Sequence, residues 1–374
     1  MNYESIIPFL AVLIVILFLL FSTFLLSVKR EKKLPNQLLA AFLIVTAIDI
    51  SAFFYQQHIE LPLNLEMLRN SISAFKNPLL FLYILSVIYS NFKLKWKHFV
   101  HFLPWVITIL VLMPNYFLVN NEEKILFRAH YDTNIEIQFL RFFGDLLSIA
   151  YLIAEIYYIT RYRRLLLENF TDKSAFKNYD WLKQLAFLLC IGQFLTWIKN
   201  YSRINLSLEN TNSLRTVILL FGVFIICWLF LKAVNSPKLF KGIDVDLKTS
   251  KEIKEKDNEF AARNHQLEFL KNYMTSKKSY LRASLTIRNL AEEINISSRD
   301  LSVLINQNLD KHFFDFVNEY RIEEAKNILK DPSKRDFTIL EILYEVGFNS
   351  KSSFNTAFKK HTGLTPTQFR KNNV

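Results

Sequence analysis

GFNSKSSFNTAFKKHTGLTPTQFRK occupies residues 347–371. It carries two glycines, a Thr-Pro pair and five Lys/Arg with no acidic residue. Phe354 and Phe358 are four apart, so they share one face of a helix. Ser350 stands before that helix as an N-cap, and Gly363 stands after it, where a backbone turns left-handed. Thr365-Pro366 opens a further short helix, with proline at the first helical position, where its missing N–H is harmless. Upstream, Thr338 and Glu341 have the offset of a capping box. Ile339, Ile342, Leu343 and Val346 form an apolar stripe that Gly347 closes. Two short capped helices a few residues apart are the signature of a helix-turn-helix.

Working outward, the same design occurs once more. In TIRNLAEEINI, Ile287, Leu290, Ala291 and Ile294 fall on one helical face behind the N-cap Thr286. Ser297 then caps a second helix with Asp300 three residues on, and Leu301, Leu304 and Ile305 continue the stripe. Between the two units, HFFDFVNEYRIEEAKNILK reads as one helix of about five turns, which would hold them at a fixed separation.

Residues 265–374 resemble the DNA-binding domain of the AraC/XylS family of bacterial transcription regulators. The resemblance is carried by NLAEEINISSRDLSVLI, by FFDFVNEYRIEEAKNIL with Arg321, Ala325 and Leu329, and by EVGFNSKSSFNTAFKKHTGLTPTQFRK. It implies seven helices in two helix-turn-helix units, whose recognition helices enter successive major-groove segments on one face of a duplex. It also implies RNA polymerase as a partner. Two positions depart from the family pattern. Asp310 stands where a glycine usually closes the first recognition helix, and Asp tolerates a left-handed backbone better than most residues. Leu343 replaces a small alanine and would widen a helix crossing.

With the apolar stripes buried, the first recognition helix presents Ser298, Arg299, Ser302, Val303, Asn306 and Gln307. The second presents Lys351, Ser352, Asn355, Thr356 and Lys359. Asn and Gln pair bidentately with adenine, and Arg or Lys with guanine. Lys360, Arg370 and Lys371 are expected on phosphates, which position a protein without specifying a sequence. The plainer reading of either face alone is a solvated helix surface; two such faces in a doubled motif favour DNA.

The opposite end of the chain has another character. IIPFLAVLIVILFLLFSTFLLSV, residues 6–28, contains no charge. About 20 apolar residues span a bilayer as a helix. Seven segments qualify: Ile6–Val28, Gln37–Tyr55, Leu68–Ser90, His98–Leu118, Gln138–Tyr162, Trp181–Tyr201 and Leu214–Val234. The first is too long for a signal peptide, and its basic cluster follows it. Lys/Arg concentrate after the first, third and fifth spans and thin out in the alternate loops. The positive-inside rule then puts the N-terminus outside and everything after Val234 in the cytoplasm of a bacterial inner membrane. The expected fold is all-α: a seven-span bundle over residues 1–242, a charged helical linker over 243–264, and a seven-helix domain over 265–374.

The charge balance agrees. The net charge is +12, yet residues 243–374 hold 22 Lys/Arg and 19 Asp/Glu. Most of the basic excess therefore belongs to loops of the apolar half. Only +3 on the tail is modest for a DNA binder, so homodimerisation or concentration at the bilayer is expected to support affinity.

Ionisable residues within spans are functional candidates by default. Lys76, Arg141 and Glu155 read more plainly as snorkelling from span ends, which leaves Asp49 and Asp145 as candidates for intramembrane sensing. His98 and His101 lack a carboxylate companion, so no metal site is expected, and nothing calls for a cofactor. The two cysteines, Cys190 and Cys227, allow no zinc spacing. No Walker A, kinase glycine loop, GxSxG or HExxH occurs, which argues against an enzyme. The alternative that stays open is a membrane receptor or transporter-like protein whose tail binds a protein partner. No internal repeat favours transport. In the linker, Ile253, Phe260, Leu267 and Leu270 are spaced for a short coiled coil, and Lys248–Glu259 is a candidate site of proteolytic release.

Overall fold

In the computed structural model, the described residues are 3–28, 33–89, 91–171, 176–205, 208–235 and 260–373. Among them the chain is helical and forms no strand beyond one isolated bridge. It divides into two compact units.

The first unit comprises Met1–Ile159 and Trp181–Val245. Its helices are α1 (Tyr3–Ser27), α2 (Leu34–Tyr55), α3 (Leu63–Ser71), α4 (Lys76–Ile88), α5 (Leu103–Leu112), α6 (Asn121–Ala129), most of α7 (Ile135–Asn169), α8 (Lys177–Asn205) and α9 (Leu208–Asn235). Seven helical stretches are long and apolar enough to cross a bilayer, and each overlaps a span expected from the sequence. α1 packs on α2 and on α9.

Two stretches are not uniform helices. Residues Ile72–Phe75 tighten to a 3-10 turn between α3 and α4, and Met113–Phe117 open into a π turn after α5. Pro78 and Pro104 sit just after 3-10 segments, Ile72–Phe75 and Trp96–Phe102, and Pro114 falls inside the π turn. The stretch expected as a plain outer loop contains α6, capped by the Asn120 side chain, which accepts from Glu123 N–H at 2.9 Å. α7 continues to Asn169, past the expected span end at Tyr162, so Arg163 and Arg164 lie on helix rather than loop.

The second unit comprises Thr160–Asp180 and Asp246–Val374. Residues 160–180 therefore pack with the C-terminal half, although the sequence reading had grouped them with residues 1–242. Seven helices follow: α10 (Phe260–Lys277), α11 (Ile287–Glu293), α12 (Ser298–Leu309), α13 (Phe313–Lys330), α14 (Ile339–Glu345), α15 (Lys351–Thr362) and α16 (Pro366–Asn373). Residues 236–259, which include most of the expected linker, Ile253 and the candidate release stretch Lys248–Glu259, lie outside the described residues.

This unit has two cores on one shared helix. Phe313, Phe316 and Val317 of α13 join Leu290, Leu301 and Leu304 in the first. Ile322, Ala325 and Leu329 of the same helix join Leu343, Phe354 and Phe358 in the second. Burying each phenylalanine contributes about 2–3 kcal/mol, so α13 is held from both sides. Arg321 lies at the changeover and is 1% exposed.

The predicted caps form. Asp300 N–H donates to Ser297 Oγ at 3.0 Å, and Ser353 N–H to Ser350 Oγ at 3.2 Å. Thr338 and Glu341 close a reciprocal box, with Glu341 N–H on Thr338 Oγ1 at 3.1 Å and Thr338 N–H on Glu341 Oε2 at 2.7 Å. Asp310 takes the left-handed backbone (φ 49°), as its place at the end of α12 requires. Leu343 is accommodated with no exposure.

Candidate functional site

α12 and α15 are the second helices of the two helix-turn-helix units. On α12, Leu301, Leu304 and Ile305 point into the core. Arg299 and Gln307 are exposed, while Ser298, Ser302, Val303 and Asn306 are half-buried. On α15, Phe354 and Phe358 are fully buried. Lys351, Ser352, Thr356 and Lys359 are exposed and Asn355 is half-buried. Each predicted set therefore lies along one solvent-reachable side of its own helix, because the apolar period of that helix fixes the opposite side.

Local chemistry separates these residues. Thr356 Oγ1 donates to Ser352 O at 2.7 Å, so its hydroxyl is occupied by its own helix. Asn306 Nδ2 lies 3.5 Å from His312 Nδ1, at the limit of a hydrogen bond. Lys360 Nζ is 2.6 Å from Asp315 Oδ1, an ion pair that a phosphate would have to displace. Arg370 is half-buried, and its Nη2 is buried without a hydrogen-bond partner. Lys371 is exposed. Lys359, Lys360 and His361 also occupy the last turn of α15, where cations complement the helix dipole.

The first unit holds a separate feature. A cavity of about 480 Å³ is lined by Asp49, Lys76, Arg141, Asp145 and Lys199 among others. A more apolar one of about 340 Å³ shares Asp49, Lys76 and Lys199 with it and adds Glu155. Both sequence candidates, Asp49 and Asp145, thus line one chamber. Asp49 is ion-paired with Lys76, and Asp145 accepts from Trp197 Nε1 at 3.0 Å. Lys76 lies midway along the apolar stretch Leu63–Ile88 and pairs with Asp49, and Glu155 is 4% exposed. Arg141, two turns into α7, pairs with Asp132 at 2.5 Å. Glu66 and Arg69 form a buried pair at 2.9 Å that the sequence does not single out, Glu66 lying just before the expected third span and Arg69 at its very start. Among the described residues, no group of three His, Cys, Asp or Glu could hold a metal.

Sequence reasoning also passed over Glu168 and Thr171, 1% and 2% exposed. Thr171 Oγ1 donates to Leu285 O at 2.7 Å, and Arg321 Nη2 reaches the same hydroxyl at 3.4 Å. Phe170 forms an antiparallel bridge with Thr286. No charge count or periodicity signals these residues, since a threonine in a polar loop is ordinary.

The family described as "Helix-turn-helix domain" matches residues 290–372. The chain is 32% identical over 124 residues to an uncharacterized HTH-type transcriptional regulator in the cgkA 5' region of Pseudoalteromonas carrageenovora, covering 33% of this chain and 67% of that one. It is 33% identical over 90 residues to the uncharacterized transcriptional regulatory protein YesN of Bacillus subtilis, covering 24% of each chain. The C-terminal domain of the two-component response regulator yesN from Fusobacterium nucleatum aligns with 32% identity over 29% of this chain and 98% of that one, with a TM-score of 0.25. Residues 290–372 take in most of both helix pairs, from within α11 to α16. The chain belongs to the AraC-type helix-turn-helix transcriptional regulators, and its DNA-binding part is the C-terminal domain.

Proposed function

We propose that the protein is a membrane-anchored one-component regulator that binds promoter DNA in a sequence-specific way. The carrying observation is a pair of capped helix-turn-helix units, built on one shared helix, in a chain that also has seven bilayer-length apolar helices. In this reading α12 and α15 enter the major groove. Arg299, Asn306, Gln307, Lys351, Asn355 and Lys359 read base edges, helped by Ser298, Ser302, Val303, Ser352 and Thr356. Arg370, Lys371 and a released Lys360 hold phosphates.

The seven apolar helices cross the inner membrane with the N-terminus outside and the C-terminal domain in the cytoplasm, as the basic loops favour. The chamber around Asp49 and Asp145 is the sensing site. It combines charged walls with an apolar end, a combination suited to a small amphipathic ligand. The bound protein acts on RNA polymerase, and two copies bind together to offset the modest charge of each tail.

Genome-wide crosslinking of the full-length protein, paired with membrane fractionation, tests this reading. Enrichment of one short motif by a protein recovered in the membrane fraction is the expected result. A membrane-inserted protein that enriches no site would overturn DNA binding, and a motif-binding protein found only in the soluble fraction would overturn anchoring.

A further inference from the structure

Both ends of the 160–180 stretch continue into apolar helices, α7 and α8. A cytoplasmic connection between two spans ordinarily needs only to be polar and solvated. This one buries Glu168 and Thr171 in the C-terminal unit. Burying a hydroxyl is unfavourable unless its hydrogen bonds are met, and here they are met by residues far along the chain. Thr171 Oγ1 donates to Leu285 O and receives Arg321 Nη2. Phe170 bridges Thr286, the N-cap of α11, at the entrance to the first helix-turn-helix unit. Glu168 Oε1 lies 4.0 Å from Nδ1 of His312, the N-cap of α13. The Phe176 and Phe314 rings meet edge-on at 5.7 Å.

The contact extends to the second unit through one guanidinium. Arg321 Nε donates to Tyr280 O at 2.7 Å and Nη2 to Arg282 O at 2.8 Å. The same group lies 5.5 Å from the centre of the Phe348 ring, in the turn between α14 and α15. Gly347 of that turn packs on the carbonyls of Tyr280 and Leu281. Thr171 is therefore one hydrogen bond from the residue that ties the entrance of the first unit to the turn of the second.

We propose that Glu168–Thr171 is a docking element through which the membrane half sets the arrangement of the two helix-turn-helix units. Seated, it holds both units in one geometry, so both recognition helices engage DNA without a further ordering cost. Movement of α7 or α8 withdraws Thr171, removes one hydrogen bond each from Leu285 O and Arg321 Nη2, and loosens that geometry. The inference rests on the DNA-binding reading given above.

The test uses full-length protein in lipid nanodiscs and in cells. Thr171→Val keeps the shape and removes the hydroxyl, and Thr171→Ser keeps the hydroxyl. Phe176→Ala is a milder lesion at the rim, for use if Thr171→Val does not accumulate. Hydrogen exchange is expected to quicken about fivefold or more at residues 281–290 and 346–350 in Thr171→Val, and to stay near wild type in Thr171→Ser. Crosslinked occupancy of the enriched motif should fall several-fold in the same variant. Unchanged exchange in both Thr171→Val and Phe176→Ala overturns the contact. Quickened exchange with unchanged or raised occupancy overturns its role in control. Quickened exchange in a protein whose wild type enriches no motif sinks the DNA reading while the contact stands.

Discussion

Gly347 packs so tightly on the backbone of Leu281 that a β-carbon at this position would lie 2.6 Å from the Leu281 carbonyl oxygen. The glycine is also left-handed, at φ 86°. Gly363 is left-handed too, at φ 75°, but a β-carbon there would meet nothing within 4 Å. The two glycines share a backbone requirement and differ in space. Gly347→Ala should therefore destabilise the domain by on the order of 3 kcal/mol or more, since the clash falls on backbone that cannot swing aside. Gly363→Ala should cost only about 1–2 kcal/mol. All five tryptophans lie in residues 96–228, so hydrogen exchange across residues 281–362 is the suitable probe. Equal losses at the two sites would contradict the packing.

Arg321 is a buried cation that donates to two backbone carbonyls, Tyr280 O and Arg282 O. Arg321→Lys keeps the charge but cannot reach Tyr280 O and Arg282 O together. A buried acceptor left without a donor costs about 1–3 kcal/mol. Arg321→Lys should loosen residues 280–282 and the Phe348 turn together, measurable as a shared rise in exchange. Loosening of only one of the two would mean that the guanidinium does not link them.

The Thr338–Glu341 box gives a signed pH dependence. The Glu341 carboxylate accepts from the backbone N–H and hydroxyl of Thr338, which holds its pKa below the ordinary glutamate value. A depressed folded pKa means that the cap's contribution is fully present above the unfolded value of about 4.3. It is lost as pH falls through the folded value. Glu341→Gln keeps the box and removes the titration. Below about pH 4 the start of α14 should fray in the wild type but not in Glu341→Gln, read as the ratio of their exchange rates at residues 338–342. Thr338→Ala should destabilise the helix by about 1 kcal/mol at neutral pH.

Base-reading and phosphate-holding residues should fail differently. Asn355→Ala should cost about 1–3 kcal/mol and relax preference at one base position. Lys371→Ala should weaken all sequences alike and lower the salt slope by about one. Binding titrations of the full-length protein on the enriched motif and its single-base variants, at several salt concentrations, separate the two. A uniform loss from Asn355→Ala would move that residue to the backbone-contacting set.

The Lys360–Asp315 pair offers a gain of function. If DNA recruits Lys360, the pair is a competing intramolecular partner, and Asp315→Asn should raise affinity and steepen the salt dependence. Unchanged affinity would mean that Lys360 stays with the protein in the complex.

What the sequence determined by itself was whatever depends on near neighbours along the chain. The seven apolar stretches, the caps at Thr286, Ser297, Thr338 and Ser350, and the left-handed Asp310, Gly347 and Gly363 rest on period, offset and local backbone sterics. So does the burial of Phe354 and Phe358, and with it the outward side of α15. α6 and the length of α7 beyond Tyr162 were missed because an amphipathic turn and an Arg-rich helix end look like loop in composition.

Only the tertiary structure decided which distant polar groups meet. Lys76 pairs with Asp49 across 27 positions, Lys360 with Asp315 across 45, and Arg321 with Thr171 across 150. None of these leaves a periodic trace, because a single polar contact between remote segments constrains one residue at each end. The chain can therefore be recognised as two capped helix-turn-helix units after seven apolar helices from its order alone. That Glu168–Thr171 seats beside Arg321 follows only from packing, because Leu285, Tyr280 and Arg282 present carbonyls there that the buried hydroxyl and guanidinium must share.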